Sequence, residues 1–415
     1  MREMKDSKVA WIGAIPKDWQ LSKIGSLYTQ RNEKVSDKDY QPLSVTMQGI
    51  LPQLATAAKT DDGDNRKLVR VGDFAINSRS DRRGSCGISP LDGSVSLINI
   101  ILTPRTAMHP GYYNWLFHTT LFADEFYKWG HGIVADLWTT RWQEMKSITV
   151  PVPEYAEQER IAAFLDAECA EIDAVLEKTR ASIEEYKKLK QAVITQAVTK
   201  GIRGDRPMKD SGIEWIGNIP VEWDVLSLVA HTSMLTPMRD RPENLDGPIP
   251  WVRIEDFEGK YIESSKAGLG VSMKTVKEMN LKVYPVGTIL CTSSCIMGKC
   301  AIVSRELVSN QRFIGIIPDR TTDKTYLYYL MTSNAERMNF LSTGALQANL
   351  SRSAFEHLKV QFPPYSEQQE IVAYLDDKCE KIDALIARKQ QYLTEIENYK
   401  KSLIYEYVTG KKEVV

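Results

Sequence analysis

The 415-residue sequence is short of the features that mark enzymes, membrane proteins and strongly basic nucleic-acid binders. No apolar run approaches the ~20 residues that a bilayer demands, and Ser96 to Thr103 reads only as a buried strand. The opening MREMKDSKVA has no signal-peptide character, so a cytoplasmic chain without a membrane span is expected. The 5 histidines are scattered singly and leave no triad or metal cluster. No P-loop is present, and Gly268-Leu269-Gly270 is too short a glycine run for a cofactor loop. Phe362-Pro363-Pro364-Tyr365 has the outline of an amino-methyltransferase motif, but Phe stands where a polar acceptor is required, so it reads as a turn. Glu185-Tyr186-Lys187 has nuclease-like spacing but lies inside a helical heptad. With 6 cysteines and no export signal, disulfides are not expected, and Cys291, Cys295 and Cys300 are spaced poorly for zinc and read as buried thiols. These absences argue against any catalysis by this chain.

The net charge of −1 withholds the broad positive field of a free-standing DNA binder. Split by segment, residues 1–150 carry +3, residues 205–361 are neutral, and residues 151–204 and 362–415 carry −2 each. Any polyanion must therefore meet locally clustered charge.

What the sequence does have is repetition. Glu157 to Thr199 recurs as Glu367 to Thr409 at a shift of 210, without a gap. MKDSKVAWIGAIPKDW, Met4 to Trp19, recurs as MKDSGIEWIGNIPVEW, Met208 to Trp223, at a shift of 204. The order is globular segment, long helix, globular segment, long helix, with boundaries at 1–150, 151–204, 205–361 and 362–415. Lys200 to Gly212 reads as the linker.

Each long stretch carries a heptad with a narrow apolar seam. The first runs through Ala162, Leu165, Cys169, Ile172, Leu176, Thr179, Ile183, Tyr186, Lys190, Val193 and Ala197. The second runs through Val372, Leu375, Cys379, Ile382, Ile386, Lys389, Leu393, Ile396, Lys400, Leu403 and Tyr407. A charged helix with so thin a seam needs a partner, and the shared register points to the other copy. Lys190, Lys400, Thr179 and Lys389 are polar within it, a device that can fix register. Ser366 with Gln369 has capping-box spacing at the second helix start.

The segments between resemble each other only in outline: strand, loop and strand around Val69–Ile88 and Val283–Ile302, then aromatic-rich helices at Pro110–Trp129 and Lys324–Leu341. The fold expected is α+β: two similar globular domains and two long helices forming an antiparallel coiled coil, with pseudo-twofold symmetry. The tryptophans of the segment heads, Trp11, Trp19, Trp215 and Trp223, read as packing residues.

This tandem order, the proline-then-EQ approach to each long helix (Pro153 to Gln158, Pro363 to Gln368) and the I-P-x-x-W heads resemble the specificity subunit of type I restriction–modification systems, over the whole chain. The resemblance implies a non-catalytic subunit whose globular segments are target recognition domains on double-stranded DNA. It implies two methyltransferase subunits as partners, with restriction–translocase subunits in the full complex. Adenine-N6 methylation and ATP-dependent cleavage then belong to those partners. So do S-adenosylmethionine, ATP and Mg, leaving no cofactor on this chain. Physical logic agrees. Tandem copies with antiparallel helices acquire a twofold axis like that of DNA, so each head meets one half-site. A 43-residue helix spans about 65 Å at ~1.5 Å per residue, or roughly 19 steps of duplex, and can act as a ruler.

Base reading is expected on the divergent loops. In the first segment these are Asn77, Ser78, Arg79, Ser80, Arg82 and Arg83, and the loop before the short helix adds Thr139, Thr140 and Arg141, which can hold phosphates or bases. In the second they are Thr292, Ser293, Ser294 and Lys299, then Gln347, Asn349, Ser351 and Arg352. Arg reads guanine edges bidentately, Asn and Gln favour adenine, and Ser and Thr hold bases or phosphates. A two-domain interaction scaffold without base readout is the alternative that the near-zero charge supports.

Overall fold

The computed structural model describes residues 2–53, 63–132, 138–237, 241–294, 298–341 and 350–414. It divides into two compact units, Met1–Ala181 with Gln390–Val415, and Ser182–Lys389. The division falls inside both long helices, so each unit holds one globular segment, the first part of one long helix and the last part of the other.

In the first unit Tyr28–Arg31 (β1), Phe74–Asn77 (β2), Cys86–Ile88 (β3) and Asn99–Pro104 (β4) form an antiparallel sheet in the order β3-β2-β4-β1. All four residues of β2 are buried, because both faces of the sheet are covered. Strand alternation sends Phe74, Ile76, Ile100 and Leu102 to one face, where Pro110–Phe117 (α1) and Thr120–Lys128 (α2) supply Tyr113, Phe117, Phe122 and Phe126. Ala75 and Ile101 point the other way, onto Leu43, Ile50, Val69 and Val95. The long helix α3, Tyr155–Lys200, follows.

The second unit repeats the plan. Thr232–Leu235 (β5), Tyr261–Ile262 (β6), Ile289–Thr292 (β7), Cys300–Val303 (β8) and Phe313–Pro318 (β9) run in the order β5-β9-β7-β8-β6. Only β6 is parallel to its neighbour, and among the described residues it has no counterpart in the first sheet. Lys324–Ser333 (α4) and Ala335–Leu341 (α5) follow β9, with Ile289, Cys291, Ile302, Ile316, Leu330 and Met338 in one core. Cys291 and Cys300 face each other across β7 and β8 as buried free thiols, and Cys295 lies outside the described residues. The second long helix, α6, is Tyr365–Val408.

The start of each long helix is clamped by the same residue types. The Glu157 carboxylate accepts a hydrogen bond from Trp19 Nε1 at 2.9 Å and pairs with Arg2, whose guanidinium lies 5.7 Å from the Trp19 ring centre. The Glu367 carboxylate accepts from Trp223 Nε1 at 3.0 Å and pairs with Arg206 at 2.7 Å, with Arg206 5.2 Å from the Trp223 ring. The next residue closes the clamp. Gln158 donates to the Pro153 carbonyl at 2.8 Å and accepts from His109 N–H at 2.9 Å, just before α1. Gln368 donates to the Pro363 carbonyl at 3.0 Å and accepts from Asp323 N–H at 2.8 Å, just before α4. The capping box expected at Ser366 is not how this helix begins. It starts at Tyr365, which places Ser366 inside the first turn, and Glu367 and Gln368 anchor it instead. Three of the four head tryptophans are buried, whereas Trp215 is 42% exposed beneath the Arg337 guanidinium at 3.9 Å.

Within each unit the two long-helix parts run antiparallel, with every seam position buried or half-buried. In the first unit Lys400 meets Asp173 at 2.6 Å and Arg180 meets Glu397 at 2.7 Å. In the second Lys190 meets Asp383 at 2.6 Å, and Lys389 lies 5.7 Å from the Tyr186 ring. At the repeat shift of 210, Lys190–Asp383 is the same pair as Lys400–Asp173. Thr179 is satisfied inside its own helix by the Val175 carbonyl at 2.8 Å. Partly exposed pairs of this kind contribute only about 0.2–1 kcal/mol each, so their value lies in choosing register. The far helix end is tied in as well: Tyr112 OH donates to the Val408 carbonyl at 2.9 Å, and Gln361 Nε2 to the Val198 carbonyl at 2.7 Å.

Replacing Glu367 by Ala strands Arg206 and the Trp223 N–H in a site where the carboxylate side chain is only 4% exposed. Hydrogen exchange across residues 182–389 should report a loss of about 3–5 kcal/mol of protection. Glu157→Ala, at a side chain 14% exposed, should lose less in the first unit.

Candidate functional site

The first segment brings its two expected loops together at one end of the sheet. Asn77 ends β2, and its Oδ1 accepts from Arg79 N–H at 3.0 Å, turning the chain out of the strand. Ser80 N–H donates to the Trp138 carbonyl, and Thr140 N–H to the Ser78 carbonyl, each at 3.0 Å. Arg79 and Thr139 form an isolated antiparallel bridge.

The expected residues divide into two groups. Asn77, Ser78 and Thr140 are buried and shape the loops. Ser78 Oγ donates to the Ile98 carbonyl at 2.6 Å, Thr140 Oγ1 to the Phe126 carbonyl at 2.9 Å, and Tyr127 OH to the Asn77 carbonyl at 3.1 Å. Arg79, Arg82, Arg83 and Arg141 are exposed, and Ser80 and Thr139 are half-buried. Arg83 pairs with Asp124 of α2, and Arg82 Nε lies 3.7 Å from Asp81. Among the described residues, Arg79 and Arg141 have no carboxylate partner within ion-pair distance. Arg141 N–H instead donates to Glu144 Oε2 at 3.0 Å, starting the short helix Trp142–Met145.

The second segment repeats this contact with other side chains. Ser293 N–H donates to the Arg312 carbonyl at 2.8 Å, and the Ser293 carbonyl accepts from Leu350 N–H at 3.0 Å, as Ser78 does from Thr140. Thr292 is buried, and its Oγ1 accepts from Lys299 N–H at 3.1 Å. Ser294 is buried with an Oγ that has no partner among the described residues. Lys299 is half-buried, its ammonium 3.4 Å from the Ile254 carbonyl. Arg352 pairs with Glu356 at 2.7 Å in a short helix capped by Ser351. Gln347 and Asn349 lie outside the described residues. Both loops turn on a glycine in the left-handed region, Gly84 at φ 76° and Gly298 at φ 75°.

Between the loops of the first unit lies a cleft of about 350 Å³. Its wall includes Arg79, Arg141, Trp142, Gln30 and Lys67 and, among the described residues, no carboxylate. Lys67, on the strand Arg66–Val69, donates to the Asn99 carbonyl at 2.7 Å, and burial pushes its ammonium pKa down from the usual lysine value. Lys67 and Gln30 escaped the sequence reading, since nothing in R-K-L-V announces that this strand runs under the loops. The second unit has a wider recess of about 1050 Å³ beside its helix pair. There Tyr328, Tyr329, Cys379 and Ile386 face Lys260, which meets Asp376 at 2.6 Å.

Residues 229–398 match the type I restriction modification DNA specificity domain family. Over 176 residues the chain is 35% identical to the MjaIX specificity subunit of the type I restriction enzyme of Methanocaldococcus jannaschii, covering 40% of each protein. It is 26% identical over 275 residues to that organism's putative MjaX specificity subunit, covering 65% of this chain and 61% of the relative. The matched stretches thus span between two-fifths and three-fifths of these two relatives. By fold, the chain resembles a structure described as the basis of complex assembly and conformational transition of the type I R-M system, with TM-score 0.75 and 13% identity over 96% of this chain and 99% of that one. It also resembles the HsdS subunit from Thermoanaerobacter tengcongensis, with TM-score 0.51 and 16% identity over 96% and 98%.

The two loop glycines separate backbone strain from crowding. A Cβ on Gly84 meets nothing within 4 Å, whereas on Gly298 it lands 2.3 Å from the Ala335 Cβ. Gly84→Ala should lower the stability of its unit by about 1–2 kcal/mol, from the left-handed conformation alone. Gly298→Ala should lower its own by more, as read by local hydrogen exchange in each unit.

Proposed function

We propose, from the premise that this chain belongs to the specificity subunits of type I restriction–modification systems, that each unit reads one half of a two-part DNA target. The observation that carries this is the loop contact built twice. One scaffold holds a strand-end loop against the loop that precedes the next short helix, by the same main-chain hydrogen bond, while the side chains on the loops differ. A constant frame with variable projecting groups is what two related but distinct recognition tasks require. Arg79 and Arg141, which share one cleft and have no carboxylate partner within ion-pair distance among the described residues, supply the local positive charge that a chain of net charge −1 needs to meet a polyanion.

In this reading the subunit performs no chemistry. It directs adenine-N6 methyltransferase subunits, two to a complex, and in the full assembly ATP-dependent restriction–translocase subunits. S-adenosylmethionine, ATP and Mg are held by those partners. The long helices set the unread gap and offer docking surface to the methyltransferases. Cytoplasmic residence follows from the same reading, and among the described residues no helix is long and apolar enough to cross a membrane.

Sequencing of methylated adenine in cells with and without this chain, beside its methyltransferase, tests the proposal. A two-part motif present only with the chain is expected. No chain-dependent methylation would favour the interaction scaffold. Exchanging residues 20–150 for those of a relative should change one half-site and spare the other. Inserting one heptad into each helix, near Ala181 and Gln391, should widen the gap by about 3 base pairs, since seven residues add ~10 Å.

A further inference from the structure

Resting on that reading, we infer that the cleft of the first unit seats a backbone phosphate of the duplex beside the half-site, and that Arg79, Arg141 and Lys67 position the DNA without reading it. Charge favours a polyanion at this cleft. Among the described residues, three cations and no carboxylate line a recess in a chain that is slightly acidic as a whole. The state of Lys67 agrees. Its ammonium is half-buried and held by one neutral carbonyl at 2.7 Å, with no carboxylate in ion-pair range among the described residues. A cation in that position has lost hydration without gaining a counter-charge, and a phosphate oxygen supplies what is missing.

The shape of the cleft agrees too. Base edges lie inside the grooves and are reached by side chains that project from the protein. Phosphates project from the duplex and are received by recesses. A cleft of about 350 Å³ between two loops is a receiving surface. Arg79 and Arg141 enter from the two loops, joined through the Arg79–Thr139 bridge, and Lys67 lies on the strand between Arg66 and Val69. Arg82 and Arg83 share the first loop but are not part of this wall, and they pair instead with Asp81 and Asp124. The sequence alone made Arg79 a base reader, and its place in the cleft argues for the backbone instead.

The test uses the full chain with its methyltransferase on duplexes that carry or lack the half-site, at several salt concentrations. Arg79→Gln and Arg141→Gln are surface changes that leave the core untouched. Each should weaken both duplexes by the same factor and lower the salt slope by about 1, with the methylated motif unchanged. Neutralising single phosphates as methylphosphonates should reveal a position that weakens the native complex and has a smaller effect on the variant carrying both Arg79→Gln and Arg141→Gln. Lys67→Met should behave as the other two do. A variant that relaxes one base of the motif at an unaltered salt slope would overturn the proposal and make that residue a reader. So would a double variant as sensitive as the native chain at every methylphosphonate. If the native chain directs no methylation, the reading beneath fails, and this assignment with it.

Discussion

A carboxylate pinned between a tryptophan N–H and an arginine at the start of each long helix is the constraint from which the rest of each unit takes its position. A charge in so enclosed a place must be paired and hydrogen-bonded or it destabilises the fold. Glu157 meets that demand through Trp19 and Arg2, and Glu367 through Trp223 and Arg206. The adjacent glutamine then catches the helix that covers the sheet. One helical turn thus fixes the segment head, the sheet-covering helix and the long helix. Two segments with few other side chains in common are framed alike because this turn is shared.

The seam adds specificity of register where the clamp adds rigidity. Apolar seam residues alone tolerate sliding by a heptad. The lysine at the same seam position in both copies meets the repeat-matched aspartate in each unit, and sliding by a heptad breaks both pairs.

Much of this was legible in the sequence because it is periodic. The seam positions were readable as heptads, and the strands around Phe74–Asn77 and Ile289–Thr292 as short apolar runs, which they are because both sheet faces are covered. The clamp was half legible. The recurrence of Trp19 and Glu157 marked them, but Arg2 and Arg206 lie just outside the obvious head motif, and the bonds join residues 138 or more positions apart. The capping box at Ser366 misled, because a local rule about helix starts was overruled by tertiary bonds from Glu367 and Gln368. At the candidate site the loops stood out by composition. Their juxtaposition depends on main-chain bonds such as Thr140 to Ser78, which carry no side-chain signature, and Lys67 comes from a strand whose proximity only folding reveals.

Those main-chain bonds have a consequence for how such a chain can change. Each pair of loops is stapled through the carbonyl of a serine, Ser78 or Ser293, and the N–H of Thr140 or Leu350, atoms that most residues supply equally well. Substitutions at exposed positions such as Arg79, Arg82 or Arg352 leave the staple in place and touch no core side chain. The loop surface is thereby uncoupled from the stability of the fold. It can drift through many side-chain combinations while the turn at Glu157 or Glu367, where three elements meet, is held nearly fixed.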